Sequence, residues 1–195
     1  GNSIEVNLYK SRKDSFYINQ SLYEESARAC GKKDKLSQQY IKDKIQSAQW
    51  FINAVKQREE NMLTIMKCIV QLQYEYFLDG DIMLLKPMIL RNIADITGYD
   101  LATISRITGN KHVDTHFGPI SIKSLFSEGI SDQSGKIISS KVIQSIIEET
   151  ITQEDKGKPY TDQQLVNLLV DKGYKIARRT VTKYREHLKI PVAQV

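Results

Sequence analysis

The amino-acid sequence predicts a mainly α-helical fold, on three observations. Apolar residues recur at three- and four-residue steps, as in Leu36, Tyr40, Ile41, Ile45, Ala48, Ile52 and Val55. Glycine and proline punctuate the chain as helix stops and starts, at Gly80, Pro87, Gly98, Gly173 and Pro191. A composition 41% apolar and 26% charged excludes disorder and low complexity. No internal repeat of fixed period is present.

The elements follow in order. Ile4-Glu5-Val6-Asn7-Leu8 alternates as a short half-buried strand does, and Phe16-Tyr17-Ile18 is its candidate partner. From Lys35 the helical period takes over through Val55. A second helix runs from about Glu59 to Leu78 on Met62, Ile65, Met66, Ile69, Leu72, Tyr76 and Phe77, with Gly80 as its stop, so the two are expected to pack as a hairpin. Pro87 disfavours helix at Lys86 and opens a new unit that reaches about Phe126. Ser127 to Lys136 is small and polar and reads as an exposed loop. A helix over Ser139 to about Glu149 buries Val142, Ile143, Ile146 and Ile147. Thr161 or Asp162 caps the next helix, which holds Leu165, Leu168 and Leu169, and a last helix spans about Ala177 to Leu188. The expected divisions are residues 1–84, 85–126 and 137–195.

Composition narrows the function classes. Cys30 and Cys68 are too few and too far apart for a disulfide framework or a zinc cluster, which points to a reducing, cytoplasmic setting. The longest apolar runs, such as Ile82 to Leu85, are far short of a membrane span. The chain opens Gly-Asn-Ser rather than with Met, which suggests a domain of a longer protein. The net charge of +5 is local: residues 158–195 hold 8 Lys/Arg against 3 Asp/Glu, while the preceding residues balance at 20 and 20. A compact basic end attracts polyanions, nucleic acid foremost.

Leu90 to Ile107, LRNIADITGYDLATISRI, has the spacing of a helix-turn-helix. Ile93 and Ala94 form the inner face of the first helix, Gly98 makes the left-handed exit, and Asp100 caps the second helix. Ile104 and Ile107 pack back, leaving Leu101, Ala102, Ser105 and Arg106 outward, where a recognition helix meets base edges. Arg106 is the candidate reader, because arginine grips guanine through two parallel hydrogen bonds. The plainer reading is a packing unit that never touches DNA.

The last helix reads Ala177-Arg178-Arg179-Thr180-Val181-Thr182-Lys183-Tyr184-Arg185-Glu186. Arg178, Thr182 and Arg185 share one side, Arg179 and Lys183 the neighbouring stripe, and Val181, Tyr184 and Leu188 the buried side. In a groove the arginines would reach bases, with Lys183, Thr180 and Thr182 on phosphates. A solvated charged face is the alternative, but Glu186 is the one acid interspersed.

ARRTVTKYRE closely resembles the RpoN box of the sigma-54 class of bacterial RNA polymerase sigma factors. The resemblance extends upstream through LRNIADITGYDLATISRITGNK, LKPMILRNIA and WFINAVKQREENMLTIMKCIV, and more loosely to IEVNLYKSRKDSFYIN. It implies that residues 1–84 are part of a core-polymerase-binding region. It also implies that residues 85–126 read the −12 promoter element through Ser105 and Arg106, and that residues 137–195 form a three-helix domain reading the −24 element. The matching positions in that domain are Arg178, Arg179, Lys183, Tyr184 and Arg185. The implied partners are double-stranded promoter DNA, core RNA polymerase and, in the intact factor, an ATP-driven activator. The family's glutamine- and leucine-rich activator region and acidic linker have no counterpart in these residues, so a response to that activator is not expected of them.

Other signals are weaker. His112 and His116 are four apart, but Val113 breaks the zinc-protease pattern and a third ligand is missing. Gly129 to Lys136 lacks the spacing of a phosphate loop. No nucleophile or acid/base constellation is evident, so a binding protein without cofactor is expected, not an enzyme. Two rivals are a dimeric repressor using the hairpin of residues 36–78, and a protein-only adaptor whose basic helix docks an acidic partner.

Overall fold

The computed structural model describes residues 3–9, 16–29, 35–155 and 157–191. Eight α-helices and two two-stranded antiparallel sheets make up the regular structure of these residues, so the fold is mainly α. The chain falls into two compact units, residues 1–67 and 68–195.

In the first unit, α1 (Gln20–Ala29) precedes the start of α2 (Lys35–Leu72). Ile41, Ile45 and Val55 are half-buried and Ile52 buried, whereas Leu36, Tyr40 and Ala48 stand exposed. The expected strand is not formed: residues 3–9 and 16–18 keep the alternating exposure of Ile4, Val6 and Leu8 but make no ladder. Alternation supplies a face, while a strand also needs a bonded neighbour. The expected helical hairpin is likewise corrected. Residues 35–72 contain no glycine or proline, and Lys56-Gln57-Arg58-Glu59-Glu60 are strong helix formers, so one helix of 38 residues runs through the supposed turn. The repressor reading named that hairpin as its interface, and the hairpin is not formed.

In the second unit the end of α2 turns at Gln73 into α3 (Tyr74–Asp79). Gln73 is fully buried. Its amide nitrogen donates to the Lys86 carbonyl at 2.7 Å and its oxygen accepts from the Lys86 N–H at 2.9 Å. These two hydrogen bonds to the residue before Pro87 satisfy both ends of a buried amide and set the entry of the next segment. Gly80 ends α3 at φ +79, and a Cβ there would meet the Phe117 ring at 2.7 Å.

After a 3-10 turn (Ile82–Leu84), α4 (Leu90–Thr97) and α5 (Leu101–Thr108) form the helix-turn-helix. Gly98 has φ +73, and the Asp100 carboxylate accepts from Thr103 N–H at 3.2 Å. A hairpin follows, β1 (His112–Thr115) with β2 (Gly118–Ser121), pairing His112 with Ser121 and Thr115 with Gly118. Phe117 at its tip packs edge-on to Tyr76 at 5.6 Å. His112 therefore lies on β1, and His116 in the turn that follows it, rather than on a shared helix face.

A second 3-10 turn (Ile122–Leu125) leads to a bridge between Met88 and Ser127, whose two backbone bonds are 3.1 and 2.9 Å. The segment expected as an exposed loop is instead a second hairpin, β3 (Gly129–Ser131) with β4 (Ile137–Ser139). The Asp132 carboxylate organises its turn, accepting from the N–H groups of Ser134 and Lys136 and from the Ser134 hydroxyl at 2.7–2.8 Å. Those bonds, the Ser134 hydroxyl first, hold its carboxyl below the usual carboxylate range.

The core gathers around α6 (Ser140–Thr152), α7 (Asp162–Asp171) and α8 (Arg178–His187). Val142, Ile143, Ile146, Ile147, Leu165, Leu169, Ile176, Val181 and Tyr184 form one buried cluster. The caps are Ser139 and, of the two candidates, Thr161. The Ser139 hydroxyl also meets that of Ser127 at 2.8 Å, fully buried, tying α6 to the bridge below the helix-turn-helix.

Two glycine substitutions separate backbone strain from crowding. Gly98→Ala meets nothing within 4 Å and should cost about 1–2 kcal/mol for left-handed geometry alone. Gly80→Ala adds a collision with Phe117 and should cost more, about 2–4 kcal/mol. Urea unfolding of both variants checks the order; equal costs would show that Phe117 does not pack on Gly80.

Candidate nucleic-acid interface

On α5 every residue expected to face outward does so: Leu101, Ala102, Ser105 and Arg106 are exposed. Ile93 and Ile104 are completely buried and hold α5 across α4. Ala94 and Ile107 are only half-buried, and Thr108 completes the inner face instead, its hydroxyl donating to the Ile104 carbonyl at 2.8 Å. That bond lets a polar β-branched residue sit in the core, which the apolar period alone did not reveal.

α8 divides its residues differently from the expectation. Val181 and Tyr184 point into the core, joined there by Arg185, which is 1% exposed. The Arg185 guanidinium donates from Nη1 to the Tyr160 carbonyl at 2.8 Å and to Asp162 Oδ1 at 2.9 Å. The other Asp162 oxygen accepts from the Thr182 hydroxyl at 2.6 Å. Thr182 and Arg185 are therefore turned toward the start of α7, while Arg178, placed on the same side, stays exposed. Arg185 is corrected from DNA-facing to buried, Tyr184 lies on the buried side as its spacing predicts although the resemblance offered it for DNA, and the Thr182 hydroxyl donates to Asp162. The physical reason is the Asp162 carboxylate at the first position of α7. Burial works against its charge, but hydrogen bonds from Thr182 and Arg185, with the positive charges of Arg185 and Arg178, more than offset that and hold its carboxyl below the usual range. Burial and the nearby Glu128 carboxylate push the Tyr184 phenol up.

Arg178, Arg179 and Lys183 are exposed, with Thr180 half-buried at their edge. The two arginines stand in the first turn of α8, where Ala177 offers no side-chain cap. Cations there oppose the helix dipole, so the bare helix is electrostatically strained and an anion at this end would relieve it. Among the described residues no carboxylate lies within 4.0 Å of these three cations. An exposed cationic surface results on α8 and a single exposed arginine, Arg106, on α5, each on a helix whose opposite face is locked in a core.

Comparison with known proteins gives consistent matches. The family model described as "Sigma-54, DNA binding domain" matches residues 38–195. The RNA polymerase sigma-54 factor of Vibrio anguillarum is 37% identical over 162 residues, 83% of this chain and 33% of that protein. The corresponding factor of Escherichia coli (strain K12) is 36% identical over 153 residues, 78% of this chain and 32% of that protein. The chain thus spans about a third of the length of these relatives. Among solved structures, Aquifex aeolicus sigmaN bound to promoter DNA is similar with a TM-score of 0.54 and 32% identity, over 95% of this chain and 54% of that one.

Asp162→Ala removes the partner of a buried cation and should destabilise residues 68–195 by about 3–5 kcal/mol in urea unfolding. Because the folded carboxyl titrates below its unfolded value of about 3.9, the wild-type contribution is complete above that pH. It is lost as pH falls through the lower folded value. The stability gap between wild type and Asp162→Asn should therefore shrink below about pH 4; a gap independent of pH would rule out the ionised pair.

Proposed function

The chain belongs to the sigma-54 family, and from that membership we propose that it binds double-stranded promoter DNA sequence-specifically in transcription initiation. In this reading α8 lies in the major groove at the −24 element. Arg178 and Arg179 donate to guanine edges, while Lys183 and Thr180 hold phosphates. α5 meets the −12 element, with Arg106 donating to guanine, Ser105 to a neighbouring base edge, and Leu101 and Ala102 giving apolar contact. Tyr184, Arg185 and Thr182 act from inside, as positioning residues that set how α8 presents its outer stripe. The observation that carries the reading is the exposed surface of Arg178, Arg179 and Lys183, with no described carboxylate within 4.0 Å, set on a helix end that favours anions. The promoter-bound state of the Aquifex aeolicus relative supports it.

The proposed division of labour gives residues 85–126 to the −12 element and 137–195 to the −24 element. Residues 1–84 dock core RNA polymerase. On α2, exposed Trp50, Phe51 and Tyr40 supply the aromatic surface that such an interface uses. Among the described residues no helix is long and apolar enough to cross a membrane.

Fluorescence anisotropy with a duplex carrying spaced GG and GC elements tests the reading. Affinity for it should exceed that for scrambled duplex by roughly 10³-fold and fall steeply with salt. Arg179→Ala should lose about 1–3 kcal/mol and relax choice at the GG element. Equal affinity for scrambled DNA overturns the proposal, and capture of core polymerase without any DNA binding would favour the adaptor instead.

A further inference from the structure

Beside α8 lies a groove of about 550 Å³ whose lining, apart from Lys183 and Tyr184, the promoter reading does not use. Its walls come from three separate elements. Lys123 projects from the 3-10 turn after β2, Lys141 and Gln144 from α6, and Lys183 and His187 from α8. Glu128 is the one carboxylate of its lining, and no described carboxylate lies within 4.0 Å of any of the three lysines. Bringing three lysines to one concavity against a single acid is electrostatically unfavourable in the free protein, and the protein wall concentrates the field in the opening. Such a groove suits a ligand with several negative charges.

The segments that form the walls identify it. One wall is bonded to the helix-turn-helix unit, where Ile122 N–H donates to the Lys111 carbonyl at 2.9 Å. The other wall is α8 itself and the helix beneath it. We propose that the groove holds the sugar-phosphate backbone of the DNA strand flanking the bases that α8 reads, with Lys123 and Lys141 each on a phosphate and Gln144 donating a neutral hydrogen bond. This rests on the reading of α8 as a DNA-contacting helix. The lysines here contribute register and affinity without sequence choice, because phosphates are the same in every sequence. Lys183 serves both surfaces, since its exposed side chain stands at the boundary between the outer stripe of α8 and the groove.

The test compares wild type, Lys123→Gln/Lys141→Gln and Lys123→Arg/Lys141→Arg, using the full 195-residue chain and both consensus and scrambled duplexes over a salt series. The glutamine pair should flatten the slope of log affinity against log salt by about 2, and weaken binding roughly 30-fold at 0.15 M salt. That loss should be equal on both duplexes, and the arginine pair should restore the wild-type slope. Thermal melting of each variant reports whether folding is intact. Wild-type discrimination with an unchanged slope in the glutamine pair overturns the groove and leaves the promoter reading standing. Loss confined to the consensus duplex also overturns it, because phosphate contacts are blind to sequence. Absence of discrimination in the wild type overturns both.

Discussion

A single buried carboxylate sets the geometry on which α8 depends. Asp162 occupies the first turn of α7, where its charge suits the helix dipole, and both its oxygens are taken by side chains one turn apart on α8. Apolar packing of Val181 and Tyr184 brings α8 to the core but tolerates rotation about its axis, since shape alone distinguishes neighbouring settings weakly. Two directed bonds from Thr182 and Arg185 do not. They hold one rotation in which Arg179 and Lys183 face water and Arg185 does not. Buried ion pairs often add little net stability over an apolar replacement, and what the geometry of this one supplies is direction.

The same logic runs through the second unit. Gln73 clamps the backbone at Lys86, Ser127 and Ser139 share a buried hydroxyl bond, and Gln133 reaches from the β3–β4 turn to the Val170 carbonyl at 3.0 Å. These polar contacts join segments 12 to 37 residues apart in sequence. Each is satisfied at both ends or nearly so, with Arg185 Nε the buried exception among the described residues. A molecule that must present two separate helices to one long ligand gains from such fixed joints, because misplacement of either helix wastes the contacts of the other.

Much of this was legible in the residues. Gly98 and Asp100 announced the turn and cap of the helix-turn-helix, and the period of Ile93 and Ile104 told inside from outside on α4 and α5. The starts of the last three helices were placed to within a residue, while α6 runs three residues beyond Glu149. The misses have different causes, local for α2 and the hairpin turns and tertiary for Arg185. Periodicity drifts along a 38-residue helix, so α2 read as two. The hairpins β1–β2 and β3–β4 are built from strands of four and three residues, too short for alternation to register, and Asp132 holds its turn through side-chain bonds invisible to a pattern search. Arg185 belonged to a cationic run and was grouped with its neighbours. The signal that separated it was present: an arginine at the same helical side as Val181 and Tyr184, with an aspartate at the start of the preceding helix to receive it.

The central claim is that Arg185 orients α8 from within while Arg179 acts outside. Side-chain guanidinium NMR spectra of the ¹⁵N-labelled chain, free and with a consensus duplex, test it directly. The account predicts Arg185 signals protected from solvent exchange in both states and little moved by DNA, with Arg179 signals exchanging rapidly when free and becoming ordered on binding. Rapid exchange of Arg185 in the free chain, or a shift of its signals to those of a guanine contact, would contradict it.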